Sequence, residues 1–332
     1  MLRFTQQQQD YILANRREFN KRQGAMVALL GNTSLIGNAT SLPRDVWGEW
    51  DREGVEIQRE DMTVFNTLAA SVSFPIDIGN MIHYFQQISD SGSANVSLDG
   101  RSKATTDQQT YDYVGTPLPI TDSTFSYGWR QVAAAASKGF QLDPAGRSNA
   151  MHKVSRKLES ITLDGDSSIV VSGMPLYGLR THPKRETRAT GQALNGATGV
   201  QWMADIKATL KLLHDNNFRV PVTLFVNWSD WFYASTTDYS AEYANKTIAQ
   251  RIREIEGIAE VVPSTSVAAS QLIAVVKNRS VLQVLNGMPM TTRAQFRANP
   301  EDDYNFVTMA AAALEIKYDK TDQCGVAVST IA

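Results

Sequence analysis

The side chains able to do chemistry are few in this chain, and their spacing does not assemble a catalytic set. The four histidines, His83, His152, His182 and His214, stand in no metal-ligand spacing, and Cys324 is the single cysteine. A zinc site needs three or four such ligands at short, regular intervals. No Gly-x-Gly-x-x-Gly opens a helix after a strand, and no Gly-x-x-x-x-Gly-Lys-Ser/Thr is present to cradle a phosphate. The run Gly165-Asp166-Ser167-Ser168 offers Ser167 as the nearest thing to a hydrolase nucleophile. It follows a helix stop, where small polar residues are expected as a turn. Glu301, Asp302 and Asp303 are adjacent, which denies them the separated geometry of an acid–base pair. Trp228, Trp231, Phe232 and Tyr233 could stack a base or a sugar, but their spacing reads as helix core. Arg180, Lys184, Arg185 and Arg188 fall in an expected loop that could touch phosphates, without the interleaved aromatics of a nucleic-acid surface. The expected catalytic, cofactor-binding and metal residues are therefore none.

The elements around these residues carry more information. A chain of 332 residues fits about two domains of ~150 residues each. Its 42% hydrophobic and 20% charged residues are ordinary for a folded soluble protein. A net charge of -2 argues against a nucleic-acid coat held by bulk positive charge. One cysteine allows no intrachain disulfide, and no window reaches the ~18 consecutive apolar residues of a membrane span. The opening residues are broken by charge too often for a secretory signal, so a cytoplasmic style of protein is expected.

The longest legible element runs from Gly139 to Gly165. Asp143 suits an N-cap, Pro144 the first helical position and Gly165 the stop. Its apolar stripe is thin, consisting of Met151, Val154, Leu158 and Ile161, while Arg147, Lys153, Arg156, Lys157 and Glu159 occupy the other faces. Such a helix is ~30 Å long and has little of its own to bury. Upstream, Ala94, Val96 and Leu98 alternate with polar residues in a strand period, and Asp99-Gly100 is a two-residue hairpin turn. A lone ribbon is marginal in water, so this one must lie on something else. Residues 1–30 carry five basic against two acidic residues, whereas Arg44 to Asp61 carries three basic against seven acidic. Opposite-sign segments of this kind are either solvated helices or pair between chains. Beyond Gly199 helices and strands alternate as a compact α/β domain, with Met203, Ile206, Leu210 and Leu213 on one helical face and a buried strand in "RVPVTLFVN".

The order of parts, together with "PLPITDSTFSYGWRQVAAAASKGFQLDPAGRSNAMHKVSRKLESITLDG" and "TIAQRIREIEGIAEVVPSTSVAASQLIAVVKNRSVLQVLNG", resembles the tailed-bacteriophage major capsid proteins and the related encapsulins, the Hong Kong 97 (HK97-like) fold. The resemblance implies an α+β fold. It has an N-terminal arm (1–61), the start of a P domain (62–90), an extended β-hairpin or E-loop (91–127), a P domain with a long spine helix (128–198), an α/β A domain (199–300) and return strands to the P domain (301–332). Val96, Leu98, Asp99, Gly100, Arg101 and Lys103 become intersubunit E-loop candidates, and Met151, Val154, Leu158 and Ile161 the spine-helix packing residues.

The function implied is a structural protein, not an enzyme, with no cofactor. It self-assembles into pentamers and hexamers and an icosahedral virion capsid around double-stranded DNA, in the host cytoplasm. Its partners would be copies of itself, with portal, scaffold and decoration proteins, without sequence-specific DNA binding or a membrane. The near-neutral charge suits a container whose genome must leave again. Some family members crosslink through a hairpin lysine. Here Lys103 matches but the partner asparagine and catalytic glutamate do not, so no crosslinking is expected. The alternatives are an encapsulin-type nanocompartment shell and, from another class, an α/β hydrolase-like enzyme using Ser167.

Overall fold

The computed structural model describes residues 5–30, 62–92, 94, 96–99, 108–138, 143–240, 242 and 246–331. The chain divides into two units, Met1–Ile57 and Gln58–Ala332. In the first, helix α1 (Gln6–Leu30) exposes Tyr11, Ile12, Leu13 and Phe19, and Glu18 pairs with Arg22 at 2.8 Å. The acidic segment Arg44 to Asp61 lies outside the described residues.

The second unit is built on two sheets. The larger has five strands in the order β7 (Glu186–Thr190), β13 (Val326–Ile331), β10 (Leu272–Val275), β8 (Val222–Asn227), β9 (Ile258–Ser264). Strand β10 is antiparallel to both neighbours, and the outer pairs β13–β7 and β8–β9 are parallel. The continuous apolar runs of β8, β10 and β13 follow from burial on both faces. Leu224, Val226, Leu272 and Ala274 face one core with Trp202, Ile206, Leu210 and Leu213 of α5 (Gly199–Asp215). Phe225, Ile273, Val275 and Val328 face the other with Val64, Leu68 and Val72 of α2 (Thr63–Val72). Short helices α6 (Trp228–Thr236) and α7 (Ile248–Arg253) complete the first layer. Thr198 with Gln201, and Thr247 with Gln250, form reciprocal capping boxes that start α5 and α7.

The second sheet has the order β1 (Ser73–Pro75), β11 (Leu282–Ala294), β12 (Tyr304–Ile316), β4 (Ile120–Tyr127). Short α3 (Trp129–Lys138) leads toward α4 (Asp143–Asp164), the long helix. Val154 and Leu158 of α4 are buried against Ala310 and Ala312 of β12, and Ile161 against Ala313, Leu285 and Leu118. The alanine run of β12 has no bulk to hold the helix off, so α4 lies close on the sheet. At the other end of the contact a Cβ on Gly146 would stand 2.0 Å from the Tyr127 hydroxyl.

Gly165 ends α4 at φ +69°, in the left-handed region the sequence assigns to it. The residues after it are not a turn. They form β5 (Gly165–Val171), which pairs with β6 (Met174–Tyr177) around an irregularity between Asp166 and Val170.

Strand membership departs from the sequence-drawn segments. Strand β4, inside the stretch assigned to the hairpin, belongs to the four-stranded sheet, as does β11 from the stretch assigned to the α/β domain. Strand β13 joins the five-stranded sheet instead of returning with β12. Strands β4 and β13 are placed by partners far apart in sequence, whereas β11 is drawn in by its hairpin with β12 and by β1 on its other edge.

Candidate assembly surface

A separate two-stranded ribbon stands beside the second sheet, formed by β2 (Ile82–Ile88) and β3 (Tyr111–Pro117). They pair antiparallel from Ile82 opposite Pro117 to Ile88 opposite Tyr111, and Ser89 N–H donates to the Thr110 carbonyl at 3.1 Å. The strand expected over Ala94 to Leu98 is not formed by the described residues there, and the expected Asp99-Gly100 turn falls partly outside the described residues. The described residues between Ser89 and Thr110 hold no strand, and Val96 and Leu98 are fully exposed. Ile82–Ile88 does not alternate strictly, and it is a strand because it has a surface on which to bury Phe85 and Gln87. Asp99 is exposed, and Gly100, Arg101 and Lys103 lie outside the described residues.

The inner face of the ribbon is fastened to β12 and the turn after it. His83 Nδ1 lies 3.0 and 3.1 Å from the two carboxylate oxygens of Glu315, which is wholly buried. Gln283 Nε2 donates to the same carboxylate, and Lys317 Nζ donates to Gln283 Oε1 at 3.1 Å. Four residues along, Gln87 Nε2 donates to the Tyr318 carbonyl at 3.0 Å, and the Phe85 ring meets Tyr318 edge-on at 5.9 Å. On β3, Asp112 pairs with Lys320.

The outer face is the reverse in character. Tyr84, Ile88, Tyr111 and Tyr113 are all exposed, and Gln86 reaches the Tyr113 hydroxyl at 3.4 Å. By register Gly115 stands opposite Tyr84, where a Cβ would come within 2.9 Å of the Tyr84 ring. A ribbon held by polar bolts on one side and apolar on the other is an unpartnered surface.

Below the ribbon lies a cavity of about 250 Å³ bordered by Phe85, Tyr177, His182, Leu314, Ile316 and Tyr318. His182 is buried and stacked edge-on to Tyr177 and Tyr318 at 5.7 and 5.5 Å, and its Nδ1 accepts the Lys184 N–H at 3.3 Å. Loss of hydration, then the nearby charges of Arg185 and Lys184, push its pKa down from 6.5 to about 4. It is a neutral imidazole at pH 7. Cys324 is buried, and its thiol is pushed up to about 12 by the same loss of hydration.

Of the spine-helix residues, Val154, Leu158 and Ile161 are buried and Met151 is half-buried. Glu159, placed by the sequence off the apolar stripe, is 3% exposed and accepts the Val64 and Phe65 N–H groups at 3.0 and 2.9 Å. Nothing in its spacing signals this, because the donors are backbone amides 95 and 94 residues away. The basic residues after Gly178 are largely committed within the chain. Arg180 pairs with Asp164, Lys184 with Asp322, and Arg188, on strand β7 rather than in a loop, with the buried Asp205. Trp231 is buried, whereas Trp228 and Phe232 are exposed instead of core. Asp166 is held below the ordinary carboxylate range by the Ser168 hydroxyl at 2.6 Å, then by Lys157 and the Ser168 N–H. Ser167 stands exposed on β5 beside it. Among the described residues no three His, Cys, Asp or Glu side chains group as metal ligands, and no helix is long and apolar enough to cross a membrane.

A family model described as "Family of unknown function (DUF6260)" matches residues 37–329. No curated protein matches the chain. Among solved structures the chain is similar to the capsid of Myoviridae phage XM1, with a TM-score of 0.69 and 12% identity over 91% of this chain and all of the other. It is also similar to the capsid of the native GTA particle, at TM-score 0.62 and 11% identity over 91% and 99% of the two chains. A virus-like particle from Pyrococcus furiosus matches at TM-score 0.54 and 15% identity, over 79% and 91%. The chain has the HK97-like capsid fold expected from its sequence.

Proposed function

The chain belongs to the DUF6260 family, and we propose that it is a shell-forming structural protein, the major capsid protein of a tailed bacteriophage. Copies assemble into pentamers and hexamers and close an icosahedral shell around double-stranded DNA in the host cytoplasm. Portal, scaffold and decoration proteins are its further partners, and the role is structural rather than enzymatic.

The observation that carries this reading is a capsid fold matched over nine-tenths of the chain, on which the ribbon's outer face is left apolar and uncovered. A self-contained enzyme gains nothing from that face, whereas a subunit whose neighbour covers it does. Assemblies of this permanence bury upwards of ~2,000 Å² per interface, more than one ribbon supplies. The N-terminal arm (1–61), the loop between β2 and β3 and the four-stranded sheet are the proposed sources of the rest. In this reading Val96, Leu98 and the residues through Lys103 contact a neighbour, and α4 stiffens the wall through Val154, Leu158 and Ile161.

The test is expression of the chain alone, with mass by light scattering and negative-stain images of the same fraction. Closed particles or rings of five or six support the reading; a chain that stays at 36.7 kDa at every concentration, both alone and co-expressed with the other structural proteins of its source, overturns it. A second reading, a nanocompartment shell, is favoured by the likeness to the Pyrococcus furiosus particle. Particles purified from the native source that hold protein cargo and no DNA would select it.

A further inference from the structure

The turn joining β11 to β12 holds an aromatic side chain away from every core. Phe296 is 94% exposed, yet the turn around it is rigidly built. Gln295 N–H donates to the Asn305 carbonyl at 2.8 Å, and Asn299 N–H donates to Asp302 Oδ2 at 2.8 Å. The Arg297 guanidinium lies 3.7 Å over the Tyr304 ring and donates to the Pro300 carbonyl. An apolar ring held out on a turn that is already ordered sheds its hydration on docking without the backbone beneath it having to be ordered first. The same turn carries exposed Glu301 and Asp303.

The cavity under the ribbon has the complementary properties. A space of ~150 Å³ lined by apolar side chains holds a benzene ring, and this one is about 250 Å³. Its lining mixes aromatic and aliphatic side chains with Thr116, the backbone of Gly115 and Gly173, and one neutral imidazole. Gly173 and Pro183, both exposed, mark its rim. Two residues beyond Pro183, the half-buried Arg185 donates Nη1 to the His182 carbonyl and faces no carboxylate among the described residues. The acidic turn and the basic rim thus match in sign.

We propose that Phe296 of one copy inserts into the cavity bordered by Phe85, Tyr177, His182 and Tyr318 of a second copy, with Glu301 and Asp303 facing Arg185. This rests on the shell reading and adds a specific contact to it. Knob and socket are different places on one chain, so the contact is heterologous and propagates from subunit to subunit. It closes into a ring where the rotation permits.

The test pairs two measurements on the full-length chain. Phe296→Cys and Pro183→Cys are combined, and assembled material is treated with a short bismaleimide. Cys324, buried and unreactive, contributes no background. Covalent multimers from the double variant, absent from either single variant, support the contact. Phe296→Ala, at an exposed position where the fold is insensitive, should raise the concentration needed for assembly ~30-fold, equivalent to about 2 kcal/mol. Filling the socket from within by Met174→Trp should act in the same direction. Particles that form normally with Phe296→Ala and give no crosslink overturn this contact and leave the shell reading standing. A chain that never assembles overturns both, and crosslinked chains that never close support the contact while overturning the shell.

Discussion

Glu159 of the long helix α4 caps a different helix, its carboxylate accepting the Val64 N–H at 3.0 Å while its second oxygen accepts that of Phe65 at 2.9 Å. Met62, the residue before helix α2, sits at φ 63° and offers no side-chain cap, so the first amides of the helix would otherwise be orphaned. A carboxylate there also faces the positive end of the helix. The bond ties the helix lying on the second sheet to the one packed against the first, and a buried charge that loses both donors is costly.

Glu159→Gln keeps one acceptor and should destabilise the fold by about 1–2 kcal/mol, and Glu159→Ala by about 2–4 kcal/mol. Urea unfolding midpoints measure both. If Glu159→Ala is neutral, the cap has no energetic role.

The ribbon's outer face should separate folding from assembly. Tyr84→Ser, Ile88→Ser and Tyr113→Ser lie at exposed positions, where single changes stay within about 0.5 kcal/mol. Assembly should nonetheless fail in the triple variant, and deletion of Ser97 to Thr106 should likewise leave a folded subunit that makes no closed shell. Full-sized particles from either protein would remove the ribbon from the interface.

Acid should weaken the fold through His182. Its folded pKa of about 4 lies below the ordinary 6.5, so between these values the unfolded chain binds a proton that the folded chain refuses. The contribution is intact above pH 6.5 and is lost as pH falls toward 4, a change of about 3 kcal/mol at most. His182→Asn retains an acceptor for the Lys184 N–H and cannot titrate. The difference in unfolding free energy between pH 7 and pH 4.5 should shrink in that variant, and an unchanged pH profile would assign the acid sensitivity elsewhere.

Gly165 should tolerate no side chain. At φ +69° a Cβ would stand 2.5 Å from the Leu176 carbonyl oxygen and 2.6 Å from the Gly178 nitrogen, both backbone atoms unable to swing aside. Gly165→Ala should cost about 2 kcal/mol or more, visible as a lowered thermal midpoint. The same change at Gly191, which has open space around it and no positive φ, is the control and should do little.

The sequence by itself determined the elements whose signals are local. The Gly165 stop, the Val154–Leu158–Ile161 stripe, the buried run of β8 and the alanine-rich β12 all follow from side-chain period and backbone preference within a few residues. The order of those elements was enough to reach the fold. What only the tertiary structure decided was which of two similar patterns becomes a strand, and which charged residue goes inside. Ala94 to Leu98 alternates more strictly than Ile82 to Ile88 does, but the latter has Glu315 and Tyr318 waiting to receive its inner side, while Lys320 pairs with Asp112 of its partner strand β3. Distant backbone amides converge on Glu159, and an imidazole and an amide side chain on Glu315. Burial of a polar group depends on partners that the chain brings together from far along its length, and no window of sequence contains them.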